Sequence, residues 1–385
     1  LTTGLQINPL PDGIDQPPAT RVVFGDAAAG RLGELAIELG AGRVLVVSDP
    51  GVAKAGHLER CVAVLRGVGL VVGVFDAVHE NPTTDDVDAC LTAARDVEPD
   101  LFVGLGGGSS LDTAKGCNFL LTNGGRMEDY LGFGKASKPL RPMIACPTTA
   151  GTGSEVQSYA LIASADEHNH RKMACGDATA LPRVAVLDPA LTLTQPARIT
   201  ATAGLDAFVH AVEAFVCTKR NPASSAYAKA AYDRAKAALP RVLADGRDRE
   251  ARAGMLLAAC WAGLAIEHSM LGAAHAAANP LTARFGITHG HAVALLLPHA
   301  VRHNAVDPAV APLYDPLGGP YQVAHLSARL LQQAGLPPAL SACGIPGDDA
   351  TLDELAADAE TQWTGRHNPR PIDAAGFREL YTAAL

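Results

Sequence analysis

The sequence predicts an α/β domain built on a parallel sheet, followed by an all-helical domain. Three observations lead there. The chain has 385 residues, more than one compact core usually serves. In its first half, short β-branched runs alternate with stretches of helical spacing. From about Thr200 the β-branched runs stop and alanine-rich amphipathic patterns follow one another.

Taken in order, Arg43–Ser48 (RVLVVS) is read as a strand, Leu58 to Val68 as a helix and Gly69–Phe75 (GLVVGVF) as a strand. Val87 to Val97 has helical spacing, and Leu101–Leu105 (LFVGL) is a strand running into glycines. Pro142–Cys146 and Val184–Leu187 are further strands. Strand and helix at this interval imply parallel pairing with helices on both faces. The boundary is expected near Pro196, giving domains 1–196 and 197–385. In the second domain the helical patterns are Gly204–Cys217, Ala223–Ala238, Ala251–Ala278 and Ala292–Asn304.

Composition narrows the function classes. With 48% hydrophobic and 18% charged residues, the chain is a folded globular protein rather than a disordered one. A net charge of −9 without a basic cluster argues against nucleic acid as a partner. Eight scattered cysteines without a C-x-x-C pair are read as reduced core residues. Leu1 to Pro18 lacks the pattern of a signal peptide, and polar or glycine residues interrupt the long apolar segments. The expected location is the cytoplasm, with no membrane partner.

Two loops carry ligand-binding chemistry. Gly106–Gly107–Gly108–Ser109–Ser110 leaves a strand and opens a helix read over Leu111–Phe119. Glycines let the backbone approach a ligand, and a helix start offers free N–H groups and a positive dipole end, which suits pyrophosphate. The second loop, Pro147 to Glu155 (PTTAGTGSE), also follows a strand and offers four hydroxyls and two glycines. Two such loops at strand ends mark a ligand crevice. Asp49, at the end of the strand Arg43–Ser48, can accept from ribose hydroxyls and would repel a 2′-phosphate; it can equally be a turn residue before Pro50.

The second domain carries metal-ligating residue types. Asp206 and His210 are four apart on a predicted helix and share a face, with Glu213 one turn further on the same side. Alone, such a pair is more often a hydrogen-bonded pair on a helix surface than a cation site. His275, among alanines and glycines, and His289, at a break between helices, add imidazoles from separate elements. One carboxylate with three imidazoles suits Fe²⁺ or Zn²⁺. Spacing does not dismiss His268, His291, His299 and His303 as competitors.

Together these segments resemble the iron-containing (group III) alcohol dehydrogenase family. The resemblance rests on GGGSSLDTAK (106–115), PTTAGTGSEV (147–156), GLDAFVHAVE (204–213), HAAANPL (275–281), HGHAVALLLPHAVRHN (289–304) and a late HNPR (367–370). It implies a Rossmann-like first domain, a helical second domain, an active site in the cleft between them, a nicotinamide cofactor and one divalent metal. By matching position, Asp206, His210, His275 and His289 are the metal ligands. Asp49, Asn81, Gly107, Gly108, Ser109, Thr148, Thr149, Thr152 and Lys172 contact the cofactor, with Asp49 favouring NAD(H) over NADP(H). Gln157, Tyr159, Ile266 and Trp363 are expected to line the substrate pocket. Many members carry a second histidine four residues after the third ligand; here Asn279 stands there, and Asn does not titrate near neutrality. The proton path then needs water, a cofactor ribose hydroxyl or another histidine such as His291, while Asn279 hydrogen-bonds substrate or caps near Pro280; Asn279 and His291 are the catalytic candidates.

The expected reaction is hydride transfer between nicotinamide and a small alcohol or aldehyde whose oxygen lies on the metal, in a homodimeric enzyme. One rival is a lyase of the dehydroquinate-synthase type, also dependent on NAD and metal. It needs several basic residues for its substrate, and these segments are alanine-rich instead. The other rival is a metal-free binding protein on the same fold, against which the four retained ligand types speak.

Overall fold

A computed structural model describes residues 4–165 and 172–385. The chain forms two compact units: one runs to Gln195 without Pro11–Ile14, the other joins Pro11–Ile14 to Pro196–Leu385.

The first unit contains β1 (Gln6–Ile7), β2 (Arg21–Phe24), α1 (Leu32–Glu38), β3 (Arg43–Val47), α2 (Pro50–Lys54), α3 (His57–Gly67), β4 (Val71–Phe75), α4 (Thr84–Val97), β5 (Leu101–Gly106) and α5 (Gly108–Asn123). After these come β6 (Gly132–Phe133), β7 (Met143–Pro147), β8 (Tyr159–Ala163), β9 (Lys172–Gly176) and β10 (Val184–Leu187). Seven strands form one sheet in the order β1-β2-β10-β7-β5-β3-β4, and β6-β9-β8 form a small second sheet. The large sheet is parallel except where β1 pairs with β2.

Strand alternation builds two cores. Leu45 and Val47 of β3, Phe102 of β5 and Met143 and Ala145 of β7 pack under α4 and α5. Val44 and Val46, Val103 and Leu105, Ile144 and Cys146 point the other way, onto α1 and α3. From β3 the chain moves to β4 on one side and to β5 on the other. The strand order therefore reverses between β3 and β5, where ligands of doubly wound sheets bind.

The second unit is helical: α6 (Ala197–Val216), α7 (Pro222–Ala244), α8 (Arg249–Glu267), α9 (Ala273–Phe285), α10 (His289–Ala305), α11 (Pro320–Gln333), α12 (Asp349–Thr361) and α13 (Ala374–Ala383). The pattern Ala251–Ala278, read above as one helix, is two: α8 ends at Glu267 and α9 starts at Ala273. α6 is long and apolar enough to cross a bilayer, with a mean hydropathy of 1.3, contrary to the reading that polar residues interrupt every such stretch. It is a core helix, 83% buried along that stretch.

Candidate metal centre and nucleotide loops

Three helices bring the ligand set together. Asp206 and His210 lie one turn apart on α6, His275 in the first turn of α9 and His289 at the first position of α10. The ligand atoms of Asp206, His210 and His275 all lie within 4.8 Å of one another. Asp206 Oδ1 is the hub: His210 Nε2 stands 3.4 Å away, His275 Nε2 3.5 Å and His289 Nε2 3.8 Å. These separations are too long for good hydrogen bonds. They match donors arranged around one ion at about 2.1 Å each, which stand about 3.0–3.4 Å apart. Neither Asp206 Oδ1 nor His275 Nε2, both buried, has a hydrogen-bond partner among the described residues. A buried carboxylate oxygen and a buried imidazole nitrogen left this way carry a desolvation cost that a cation removes. The donor set therefore fits a divalent metal. His289, with a quarter of its side chain exposed, forms the open side.

What holds His275 is a residue whose role the sequence did not reveal. Glu213 Oε2 lies 2.6 Å from His275 Nδ1 and accepts from the Gly272 N–H at 3.1 Å, while Oε1 accepts from the Ala274 N–H at 2.7 Å. Glu213 thus caps the start of α9 and turns the His275 ring so that Nε2 faces Asp206. It supports a ligand and is not one of the cluster. Two more motif residues brace the same helix start: Asn368 Oδ1 accepts from Ala273 N–H at 3.3 Å, and Asn368 Nδ2 donates to Asn304 Oδ1 at 2.6 Å.

Electrostatics follow the geometry. Burial would raise the Asp206 carboxyl, but His210, His275 and His289 outweigh it and hold it well below the usual carboxylate range. Burial would lower His275, yet Asp206 and Glu213 raise it to about 9 in the absence of metal.

The competing histidines are placed elsewhere. His291 sits two residues beyond His289, about 200° round the helix, and its Nε2 bonds the Pro337 carbonyl at 2.8 Å. That contact lies outside the ligand cluster. His268 stacks on Tyr227, and His303 receives Arg370. Burial, with Arg302 adding to it, lowers His299 to about 4. Asn279 Nδ2 donates to Gln362 Oε1 at 3.0 Å, tying α9 to the end of α12.

In the first unit the two loops face each other across the ends of β5 and β7. A Cβ on Gly108 would stand 2.8 Å from Thr152 Cγ2, and one on Gly107 3.2 Å from Thr149 Cγ2. The Thr148 N–H bonds the Gly106 carbonyl at 2.9 Å. Gly107 is the N-cap of α5 without a side-chain cap, so the first N–H groups of that helix stay available to a ligand. Ser109 Oγ accepts from the Asn81 N–H at 3.3 Å, and Asn81 has a positive φ of 55°. Asp49 Oδ1 caps α2 through the Val52 N–H at 3.0 Å, and Oδ2 accepts from Ser110 Oγ at 3.1 Å. It lies at the switch point, beside the glycine turn. Lys172 is exposed at the start of β9.

Beneath the second loop, Lys115 is 1% exposed, and its Nζ donates to the carbonyls of Ser154, Gln157 and Tyr159 and to Ser154 Oγ, all within 3.0 Å. This fixes the loop from below. Of the four residues expected to line a substrate pocket, Gln157 donates to the Thr152 carbonyl and Tyr159 packs against Phe133. Ile266 lies near the end of α8, and Trp363 is 40% exposed. Gln157 and Tyr159 belong to the first unit, Ile266 and Trp363 to the second.

Glu155 is also buried, and its Oε1 has no hydrogen-bond partner among the described residues. Burial raises it from 4.5 to about 7, with Lys115 opposing. The folded state therefore binds the proton more tightly than the unfolded chain. The stability this lends is full below pH 4.5 and lost as pH rises through about 7. Glu155→Gln is expected to flatten the fall in Tm across that window, by an amount worth up to about 3 kcal/mol. An unchanged slope in thermal melts would contradict it.

Both halves match known protein families. Residues 19–189 match the family described as iron-containing alcohol dehydrogenase, and residues 200–385 the C-terminal family of the Fe-containing alcohol dehydrogenases. The chain belongs to the iron-containing alcohol dehydrogenase family. It is an oxidoreductase, an alcohol dehydrogenase of that family. Alcohol dehydrogenase 4 of Schizosaccharomyces pombe is 40% identical over 69% of this chain, and the match spans 62% of that protein. The NAD-dependent methanol dehydrogenase of Bacillus methanolicus is 31% identical over 96% of this chain and 98% of its own length. Among solved structures, the sulfoacetaldehyde reductase of Bifidobacterium kashiwanohense in complex with NAD⁺ superposes with a TM-score of 0.86, at 27% identity over 96% of this chain and 98% of that one.

Proposed function

We propose that this alcohol dehydrogenase binds one divalent cation, Fe²⁺ or Zn²⁺, through Asp206, His210, His275 and His289, and prefers NAD(H) for the interconversion of a small alcohol and its aldehyde. The observation that carries the reading is the convergence of three imidazole nitrogens on Asp206 Oδ1 within 3.4–3.8 Å. A bound cation would supply Lewis-acid polarisation of the substrate oxygen, and bound nicotinamide the hydride acceptor or donor. The chain's own residues prepare the site. Glu213 keeps a proton on His275 Nδ1 and leaves Nε2 free to ligate. The Gly107–Ser109 turn and the start of α5 present N–H groups to a pyrophosphate. Thr148, Thr149 and Thr152 offer hydroxyls beside it. Asn279 can orient a polar group but cannot relay a proton at neutral pH. The names of the relatives support small alcohols and aldehydes as substrates and NAD as cofactor. Buried free thiols suit the cytoplasm. The exposed Leu5 and Ile7 at the edge strand β1 support a homodimer.

The test is elemental analysis of the purified protein, together with NADH formation across a panel of primary alcohols. Glu213→Gln separates support from ligation. It is expected to keep the fold but weaken metal affinity about 10–100-fold, as loss of a ligand's outer partner does. Metal titration that finds the affinity unchanged would remove Glu213 from the site. Asp49→Ser should retain the α2 cap while relaxing the NAD over NADP preference at least about tenfold, since the charge that meets a 2′-phosphate is gone. A wild type that turns over NADPH faster than NADH at equal low concentration would reverse the assignment of Asp49.

A further inference from the structure

A cavity of about 620 Å³ opens within the helical unit where α6 and α10 begin. It serves none of the roles assigned so far. Its walls carry two guanidiniums, Arg198 and Arg252, and no aspartate or glutamate among the described residues. Arg252 is 4% exposed and fixed: its Nε donates to the Gly246 carbonyl at 2.8 Å and its Nη1 to Thr200 Oγ1 at 3.0 Å. Arg198 is exposed at the rim, in the first turn of α6. Neither α6 nor α10 has an acidic residue in its first turn, and neither Pro196 nor Thr288 makes a side-chain cap bond. Two positive helix ends and two cations thus face one space. In a chain of net charge −9, a chamber lined by cations alone runs against the overall balance. The remaining wall combines apolar side chains, Phe285, Ile287 and Leu336 among them, with the polar Thr200, Thr288, His291 and Gln333. The volume suits a small organic molecule.

We propose that this cavity binds a phosphate monoester with an apolar substituent, its phosphate between Arg198 and Arg252 and its body on Phe285, Ile287 and Leu336. The site is independent of the metal reading. Isothermal titration of the metal-loaded enzyme, first without and then with saturating NAD⁺, with phenyl phosphate and with inorganic phosphate, tests it. Both probes should bind saturably at one site per chain, phenyl phosphate the more tightly. Arg198→Ala should weaken phenyl phosphate by at least about tenfold, the value of one charge-assisted bond. Leu336→Glu, which sets a carboxylate into the cavity, should abolish binding. Metal content should stay the same in both variants. Absence of saturable heat in the wild type, equal affinity in Arg198→Ala, or binding lost when NAD⁺ is added would each overturn the proposal. The last result would place the phosphate on the Gly107–Ser109 turn instead.

Discussion

Asp206→Asn is expected to empty the metal site and to lower kcat/KM by at least about a thousandfold, a loss of some 4 kcal/mol of transition-state stabilisation. The geometry makes this residue the most exacting of the four. Its Oδ1 stands within 3.8 Å of all three imidazole nitrogens. It is also the only anionic donor in the set, and it is buried. An amide in its place keeps the volume but has no charge to hold a divalent ion among neutral imidazoles. The fold should survive, because Asn is isosteric and α6 is packed along its length by apolar neighbours. Elemental analysis should find less than about a tenth of the wild-type metal. A variant that retained both metal and turnover would show that the cluster is a hydrogen-bonded core feature and that the chemistry lies elsewhere.

Gly290→Ala should be nearly as damaging, for a reason that involves no ligand atom. A Cβ on Gly290 would lie 2.0 Å from the carbonyl oxygen of Thr202 and 2.7 Å from its carbon. These are backbone atoms of α6, and they cannot swing aside. The start of α10 must move, and His289 is the adjacent residue. Overpacking of this kind costs about 1–3 kcal/mol. The melting temperature should therefore fall by several degrees, about what such a loss produces in a domain of this size. Metal affinity should fall with it, since His289 is carried away from Asp206. Thermal melts and metal titration on the same preparation check both. A variant with wild-type Tm and affinity would show that the two helices can part without consequence.

Much of this was legible in the sequence, for physical reasons that differ by element. β3, β5, β7 and β10 are buried on both faces, so their residues form unbroken apolar runs that stand out. β1 and β6 have two residues each, too few for such a run, and β8 and β9, in the small sheet, are only partly buried. α8 and α9 merged in the reading because alanine carries little periodicity; only Gly272 marked the break. The convergence of Asp206, His210, His275 and His289 was anticipated from chemistry and from the family's motifs together. Spacing on α6 also placed Glu213 on the right side of the helix. It could not show that the N–H groups of Gly272 and Ala274 would arrive to engage that carboxylate, since they come from some sixty residues away. His291 was one candidate for the proton path; two residues along a helix nearly reverse direction, and its ring bonds the Pro337 carbonyl.

All four candidate ligands belong to the unit that holds Pro196–Leu385. A cation on them therefore acts as a mass-action clamp on that unit alone. Occupancy at a hundred times the dissociation constant adds about 2.7 kcal/mol to its unfolding free energy, and nothing directly to the sheet. With the proposed dinucleotide on the sheet and the proposed cation on the helices, the two halves of the chain would be stabilised by different supplies in the cell, dinucleotide for one and free metal for the other. Metal scarcity would loosen the helices first and expose α6, a long apolar core helix, while the unit that holds the large sheet stayed folded.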